Sequence, residues 1–224
     1  MSPTRNRIFR PVLALAMALG LSACASVDTT SRDAPLPSAL QAPTQPQAAP
    51  AVAASSFKVV QVAVNVPQSL RVSEANRYYP SGDIVWREDP IGDRHAQVKA
   101  IVEAGLSKGA SRLDGDREVI LKVSVTRFHA LTEKARYTIG GVHAIQFYMT
   151  VVDAETGETL IPSHFVKADF DALGGAAAVA SEARGVTQKV RITDHLAVVI
   201  QDELSKPTGY RGENTGVIGA INQL

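Results

Sequence analysis

Five histidines, His95, His129, His143, His164 and His195, are the residues best able to hold a metal or carry a proton. A zinc site written into local sequence sets two histidines one helical turn apart or beside cysteines. None of the five has such a neighbour, so neither a metal nor any other cofactor is expected. The run Asp114-Gly115-Asp116-Arg117-Glu118 gathers carboxylates as a calcium loop does. It is too short for a twelve-residue loop and lacks the downstream bidentate Glu, so a turn before a strand is predicted. No Gly-x-Ser-x-Gly elbow is present, and Gly209, Gly212, Gly216 and Gly219 lack the Gly-Lys-Ser/Thr run that cradles phosphate. No catalytic residue is assigned, and the chain is not expected to be an enzyme. A hydrolase would need a His, a carboxylate and a nucleophile that meet only in space.

Residues suited to recognition are denser. Between two turns of Pro-Gly type, residues 78–95 collect aromatic side chains, arginines and carboxylates. Aromatic and Arg residues carry much of the energy of protein interfaces, and loops present them more often than cores do. Tyr78, Tyr79, Trp86, Arg87 and Arg94 are the candidate partner-binding residues. The competing expectation is that Trp86 belongs to the core and the charges are solvated.

The elements that must position these residues are legible from hydrophobic periodicity. Residues 57–66 alternate, with Val60, Val62, Val64 and Val66 expected on one face. Asp93 is a predicted N-cap for a helix whose Val98, Ile101, Val102 and Leu106 share a side, stopping near Gly109. Residues 118–128 and 144–153 alternate again, through Val119, Leu121, Val123 and Val125, then Ile145, Phe147, Met149 and Val151. Asp153 to Gly157 signals a hairpin into a strand over 159–170, with Pro162 pointing to an edge. A loop over 173–185 precedes a helix over 186–204, with Val190, Thr193, Ala197, Ile200 and Leu204 expected in its buried stripe. The predicted class is α+β: a mainly antiparallel sheet of about four strands, covered on one face by two helices, in the order β-α-β-β-β-α.

Composition bounds what such a domain can do. The chain has 224 residues, 45% hydrophobic and 20% charged, with formal charge +1. Its first 23 residues contain Arg5, Arg7 and Arg10 and no acid; the remainder holds 20 basic and 22 acidic residues. Nothing in that balance calls for a nucleic-acid partner.

The N-terminus carries a different signal. Residues 12–21 are an apolar run of ten, the length of a signal-peptide core and well short of the ~20 residues of a membrane span. The run closes on Leu21-Ser22-Ala23-Cys24, and Cys24 is the only cysteine. This resembles the lipobox of bacterial lipoproteins, which implies cleavage before Cys24, a diacylglycerol thioether on its sulfur and acylation of the new amine. Two or three acyl chains anchor a protein firmly where one holds it only marginally. By the same resemblance, Ala25 rather than Asp after the cysteine favours the outer membrane over the inner. Residues 25–56 contain nine Ala, five Pro and three charges, the composition of a disordered tether reaching about 30 Å as a flexible coil. The expected organisation is a signal peptide over 1–23, lipidated Cys24 and linker over 24–56, a periplasmic domain over 57–206 and an irregular tail over 207–224.

Three stretches carry a wider resemblance. They are Ser73-Glu74-Ala75-Asn76-Arg77-Tyr78-Tyr79-Pro80 continuing through residues 82–95, Val151-Val152-Asp153-Ala154-Glu155-Thr156-Gly157, and Ile192-Thr193-Asp194-His195. Across most of residues 24–204 the chain resembles an uncharacterised lipoprotein family of alphaproteobacteria, classed as a domain of unknown function. That resemblance implies a fold and a location, and no chemistry. More distantly, the element order is similar to accessory periplasmic lipoproteins of curli secretion, peptidoglycan-synthase activation and lipid transport, which act by binding partners. The expectation is a non-enzymatic, membrane-anchored accessory factor that binds an envelope protein. The alternative is a small-ligand or lipid-binding module of an envelope transport system, with the apolar sheet face and the Gly/Ala-rich loop over 173–185 forming a cleft lined by Phe147, Phe165 or neighbouring side chains.

Overall fold

The computed structural model describes residues 57–213, which lie within one unit, Ala48–Leu224. The signal segment, Cys24, the linker and the end of the tail fall outside the described residues. In chain order the elements are β1 (Phe57–Asn65), β2 (Ile84–Val85), α1 (Arg94–Ala110), β3 (Arg117–His129), α2 (Glu133–Arg136), β4 (Gly141–Asp153), β5 (Thr159–Lys167), β6 (Phe170–Ala172), α3 (Gly175–Glu182) and α4 (Gln188–Ser205).

The long strands β3 and β4 pair antiparallel at the centre of an open sheet ordered β1-β3-β4-β5. Each outer edge is made of two pieces. β1 lies beside the first part of β3 and β2 beside its last two residues, while β5 and β6 divide the edge of β4 in the same way. The class is α+β as expected, but the sheet has six strands rather than about four, and it is mixed. β1 and β2 both run parallel to β3. The reason is α1, which carries the chain back across the sheet and makes β1-α1-β3 a crossover. Alternation in sequence reports which face of a strand is buried, not which way its neighbour runs.

Where the phase of the pattern is undisturbed, the expectation holds. Val119, Leu121, Val123 and Val125 of β3, and Ile145, Phe147, Met149 and Val151 of β4, are all buried beneath the helices. Asp93 caps α1 as predicted, its carboxylate accepting from the Ala96 N–H at 3.0 Å, and Val98, Ile101, Val102 and Leu106 pack inward. In β1 the phase slips. The register moves from Val59↔Val119 to Gln61↔Ile120, leaving Val60 as the extra residue of a bulge and exposed. The inward face is therefore Phe57, Val59, Val62, Val64 and Val66, a correction to the simple alternation.

Three further elements depart from expectation. The buried side of α4 comprises Ile192, Leu196, Ala197, Val199, Ile200 and Leu204, while Val190 is exposed and Thr193 only half-buried. The expected strand over 159–170 is divided at Asp169, whose buried carboxylate accepts from the Ile145 N–H at 2.9 Å. A side chain there takes the place of a ladder bond, so β5 ends and β6 begins. The expected loop over 173–185 contains the helix α3; its Ala-rich run has high helix propensity and no charge at its start.

α1 and α4 lie against each other through glycine. A Cβ on Gly105 would come within 2.7 Å of the Leu196 side chain, and one on Gly109 within 2.2 Å of the Ala197 carbonyl. α1 ends at Ala110, next to Gly109 as expected, and Gly109 also lets the two helices approach. Among the described residues no helix is long and apolar enough to cross a membrane.

Candidate interaction surface

β1 begins at the end of the sheet that also holds the β4–β5 turn, here termed the proximal end. The opposite, distal end carries residues 66–93, α2, the residues before β4, α3 and the start of α4. Charged side chains buried or half-buried at the distal end tie these pieces together.

Arg94, only 4% exposed, is the hub. Its Nε donates to Glu74 Oε1 at 2.7 Å, and its Nη1 donates to the Asp89 and Pro90 carbonyls and to Gln97 Oε1. Glu74 is held below the ordinary carboxylate range by this hydrogen bond. Arg87 donates to Glu133 at 2.6 Å and to the Glu74 carbonyl, joining the loop to α2. Asp89 accepts from the Trp86 indole N–H at 2.8 Å and from Lys189 at 2.7 Å. Burial pushes the Asp89 carboxyl up, but the bonds from Lys189 and Trp86 outweigh it and the net shift is downward.

Glu88 makes the longest link. It pairs with Arg136 at 3.0 Å and accepts from the backbone N–H of Lys189 in the first turn of α4, more than a hundred residues away in sequence. A carboxylate there meets an orphan donor and the positive end of the helix dipole together. Arg136 also contacts Glu182 of α3 at 3.1 Å, and the Tyr137 hydroxyl donates to the same carboxylate at 3.2 Å. Gln188 and Leu131 exchange a pair of hydrogen bonds. Thr132 caps α2 and donates to the Arg77 carbonyl.

The five candidate residues separate into two groups. Trp86 is fully buried, edge-on to Phe128 at 5.9 Å, and cannot be touched by a partner; it is corrected from a contact residue to a core residue. Arg94 is corrected likewise, since its guanidinium is consumed in holding residues 74–97. Arg87 is half-buried and committed to Glu133 and Glu74. Tyr78 is exposed beneath the Lys134 ammonium, 4.7 Å from its ring centre, and Tyr79 is 60% exposed. The sequence argument missed the rest of the surface. Ile91 (88% exposed), Ile139 (65%), Tyr137 and Val179 are outward-facing apolar side chains on the same distal elements.

Two of the histidines, His143 and His195, lie against one ring, that of Phe170, at 4.9 and 4.0 Å. His95 bonds the Leu70 carbonyl, His129 the Gly82 carbonyl, His164 Glu203, and His195 the Tyr210 hydroxyl. Burial first, and then Arg127, lowers His129 to about 4. Among the described residues no group of three or more His, Cys, Asp or Glu is placed to hold a metal ion. The Asp114–Glu118 run is the turn into β3, with Gly115 donating to the Phe57 carbonyl and Glu118 paired to Lys58. Phe147 and Phe165 do not line one cleft. The register pairs Phe147 with Val166 and Tyr148 with Phe165, so Phe147 is in the core and Phe165 on the open face.

Residues 57–220, nearly the span just described, match the sequence model of a family described as one of unknown function, DUF6778. The chain belongs to the DUF6778 family. Among curated proteins none matches it. Solved structures similar to this DUF6778 chain include a protein of Caulobacter crescentus provisionally classed as a lipoprotein, at 15% identity and a TM-score of 0.34, covering 68% of this chain and 90% of that one. A Xanthomonas campestris protein of the DUF330 family is 9% identical at a TM-score of 0.40, covering 70% and 88%. The PelC dodecamer of Paraburkholderia phytofirmans is 17% identical at 0.25, covering 67% and 94%. Likenesses at these scores decide neither the detailed topology of the DUF6778 domain nor its function.

Proposed function

We propose that this DUF6778 chain is a lipid-anchored envelope protein whose domain binds a protein partner at the distal end, as a non-enzymatic accessory factor. The observation that carries the proposal is the set of apolar side chains Tyr79, Ile91, Ile139 and Val179, exposed on loops and on α3 that partly buried ion pairs hold in place. Irregular loops left to themselves lose order and pay entropy on binding; loops locked by Arg94 and Glu88 present a preorganised surface.

The thirteen residues of β3 separate the proximal end, where β1 begins, from the distal surface by about 40 Å. The lipobox resemblance and Ala25 make the periplasmic side of the outer membrane the proposed location.

The test is photo-crosslinking in cells from positions 79, 91 and 139, with positions 58 and 155 at the proximal end as controls. A single recurrent envelope protein captured only by the first set is the expected result. Equal capture from both ends, or capture of lipid and peptidoglycan alone, would overturn the reading. The alternative of a small-ligand or lipid-binding module rests on a groove of about 360 Å³ on the open face of the sheet, lined by Ala63, Lys122, Tyr148 and Thr150. The exposed Tyr148–Phe165 pair borders it. Lipid crosslinks from position 165 would favour that alternative.

A further inference from the structure

His143, near the start of β4, is 1% exposed, and neither of its ring nitrogens has a hydrogen-bond partner among the described residues. The other four histidines each have one. A neutral imidazole offers one donor and one acceptor, and leaving both unmet in a protein interior is costly enough that native structures rarely do so. The ring lines a cavity of about 10 Å³, space for one water molecule, between β4, α3 and the start of α4. Arg136, Ser181, Glu182, Gln188 and Arg191 form the polar part of its wall, and Leu173, Ala178 and Val186 the apolar part.

The wall is unevenly matched. Arg136 is held between Glu88 and Glu182. The Arg191 guanidinium has a single protein hydrogen bond, from Nη2 to the Asp171 carbonyl, and no carboxylate within ion-pair distance among the described residues, although the charges of Glu213 and Asp171 act on it from farther off. Its guanidinium rests over the Phe170 ring at 5.5 Å, and the same ring lies against His143 at 4.9 Å. Phe170 thus sets the distance between the imidazole and the guanidinium. Burial, then the positive charges of Arg191 and its neighbours, keep the imidazole neutral down to about pH 3.

The cover over this cavity is slight. Of the eight residues of α3 only Ala178 and Ser181 are buried. Glycines at positive φ stand at both ends, Gly175 at 54° and Gly185 at 77°. Beyond these, α3 is held by Ser181 donating to the Val186 carbonyl, by Glu182 meeting Arg136 and Tyr137, and by the close approach of Gly174 to Gly140 at its start. Opening one short element costs less than unfolding the whole domain.

We propose that this cavity is the closed form of a binding site for a small oxyanion, a carboxylate or phosphate group, with His143 and Arg191 as recognition residues and α3 as the cover. An oxyanion accepts at once from the imidazole N–H and from the guanidinium, which satisfies a buried donor and gives Arg191 a direct partner. A cation would meet two guanidinium groups, and the one carboxylate of the wall, Glu182, is already paired with Arg136. The site stands apart from the partner surface, although α3 contributes to both.

The experiment uses the full-length protein labelled with ¹⁵N-histidine and follows the imidazole nitrogens by NMR. Sodium acetate and sodium phosphate are the probes, titrated against sodium chloride at constant ionic strength. A saturable shift of the His143 signals, with those of His95 and His164 unmoved, is expected for at least one probe, and the probe that saturates separates carboxylate from phosphate. His143→Phe should abolish binding measured by calorimetry, and Arg191→Gln should weaken it roughly ten-fold or more. Should His143→Phe fail to fold, Arg191→Gln at the surface decides alone. The proposal is overturned if His143 responds to neither anion beyond the chloride control, which would leave one water as its partner, or if the variants bind as the wild type does.

Discussion

At the proximal end of the sheet, five residues, 154–158, take the chain from β4 into β5. Asp153 closes that turn, its carboxylate accepting from the Thr156 and Glu155 N–H groups and from Arg117, while Gly157 takes φ of 74°. At the distal end the connections run over residues 66–93, 130–140 and 173–187, with two short helices and a two-residue strand inside them. A hairpin of five residues does all that the fold requires of a connection. The longer distal segments need Arg94, Glu88, Arg136 and Gln188 to order them, and each such group carries a desolvation cost. Structure that the sheet does not require, stabilised at that cost and tipped with exposed apolar side chains, is the ground for proposing the partner surface at this end.

The comparison breaks most readily at Arg94. Arg94→Ala would leave the Asp89 carbonyl without this donor and a gap where the buried guanidinium was, while the half-exposed Glu74 stays solvated, and should lower stability by about 1–3 kcal/mol in urea unfolding. A loss under 1 kcal/mol would mean that the distal loops do not depend on this hub. Gly109→Ala, toward the proximal end of the α1–α4 seam, should cost about 1–3 kcal/mol by forcing the helices apart, and leave distal crosslinking unchanged once the protein is folded.

Smaller effects follow from pH. Backbone N–H groups at Thr156, then Arg117, hold Asp153 at about 2, below its ordinary 3.8. Its contribution is complete above the ordinary value and is lost as pH falls through about 2. Asp153→Asn should therefore lower Tm at pH 7 and match the wild type near pH 1.5; a constant difference would assign the effect to packing. His164 behaves oppositely, since Glu203 raises its pKa above the ordinary 6.5. That contribution is present in acid and fades as pH rises through the raised value, so His164→Gln should be costlier at pH 5.5 than at pH 9.

The sharpest test of distal function has the smallest effect on stability. Tyr79→Ser, Ile91→Ser and Ile139→Ser together should shift unfolding by no more than about 0.5 kcal/mol per site while removing partner capture. Retained capture would move the interface elsewhere.

The buried faces of α1, β3 and β4, the Asp93 cap, the Asp153–Gly157 turn and the edge position of Pro162 were legible because each depends on residues within a few positions of one another. Periods of 2 and 3.6 record burial directly. Tyr79 was legible as a surface residue, and the region around it as unusual, because composition alone sets it apart. The parallel direction of β1, the bulge at Val60 and the division of β5 from β6 were not legible, since each is settled by a neighbouring strand or by a carboxylate reaching across the sheet. The same limit explains Trp86 and Arg94: both have the residue types of an interface, and only their surroundings assign them to the interior. By itself the sequence determined the apolar faces of α1, β3 and β4, the turn after β4 and the α+β class. Tertiary structure alone decided which charges are buried together, because Glu74 and Arg94 lie 20 positions apart and Glu88 and Lys189 lie 101 apart, and no local pattern spans such distances.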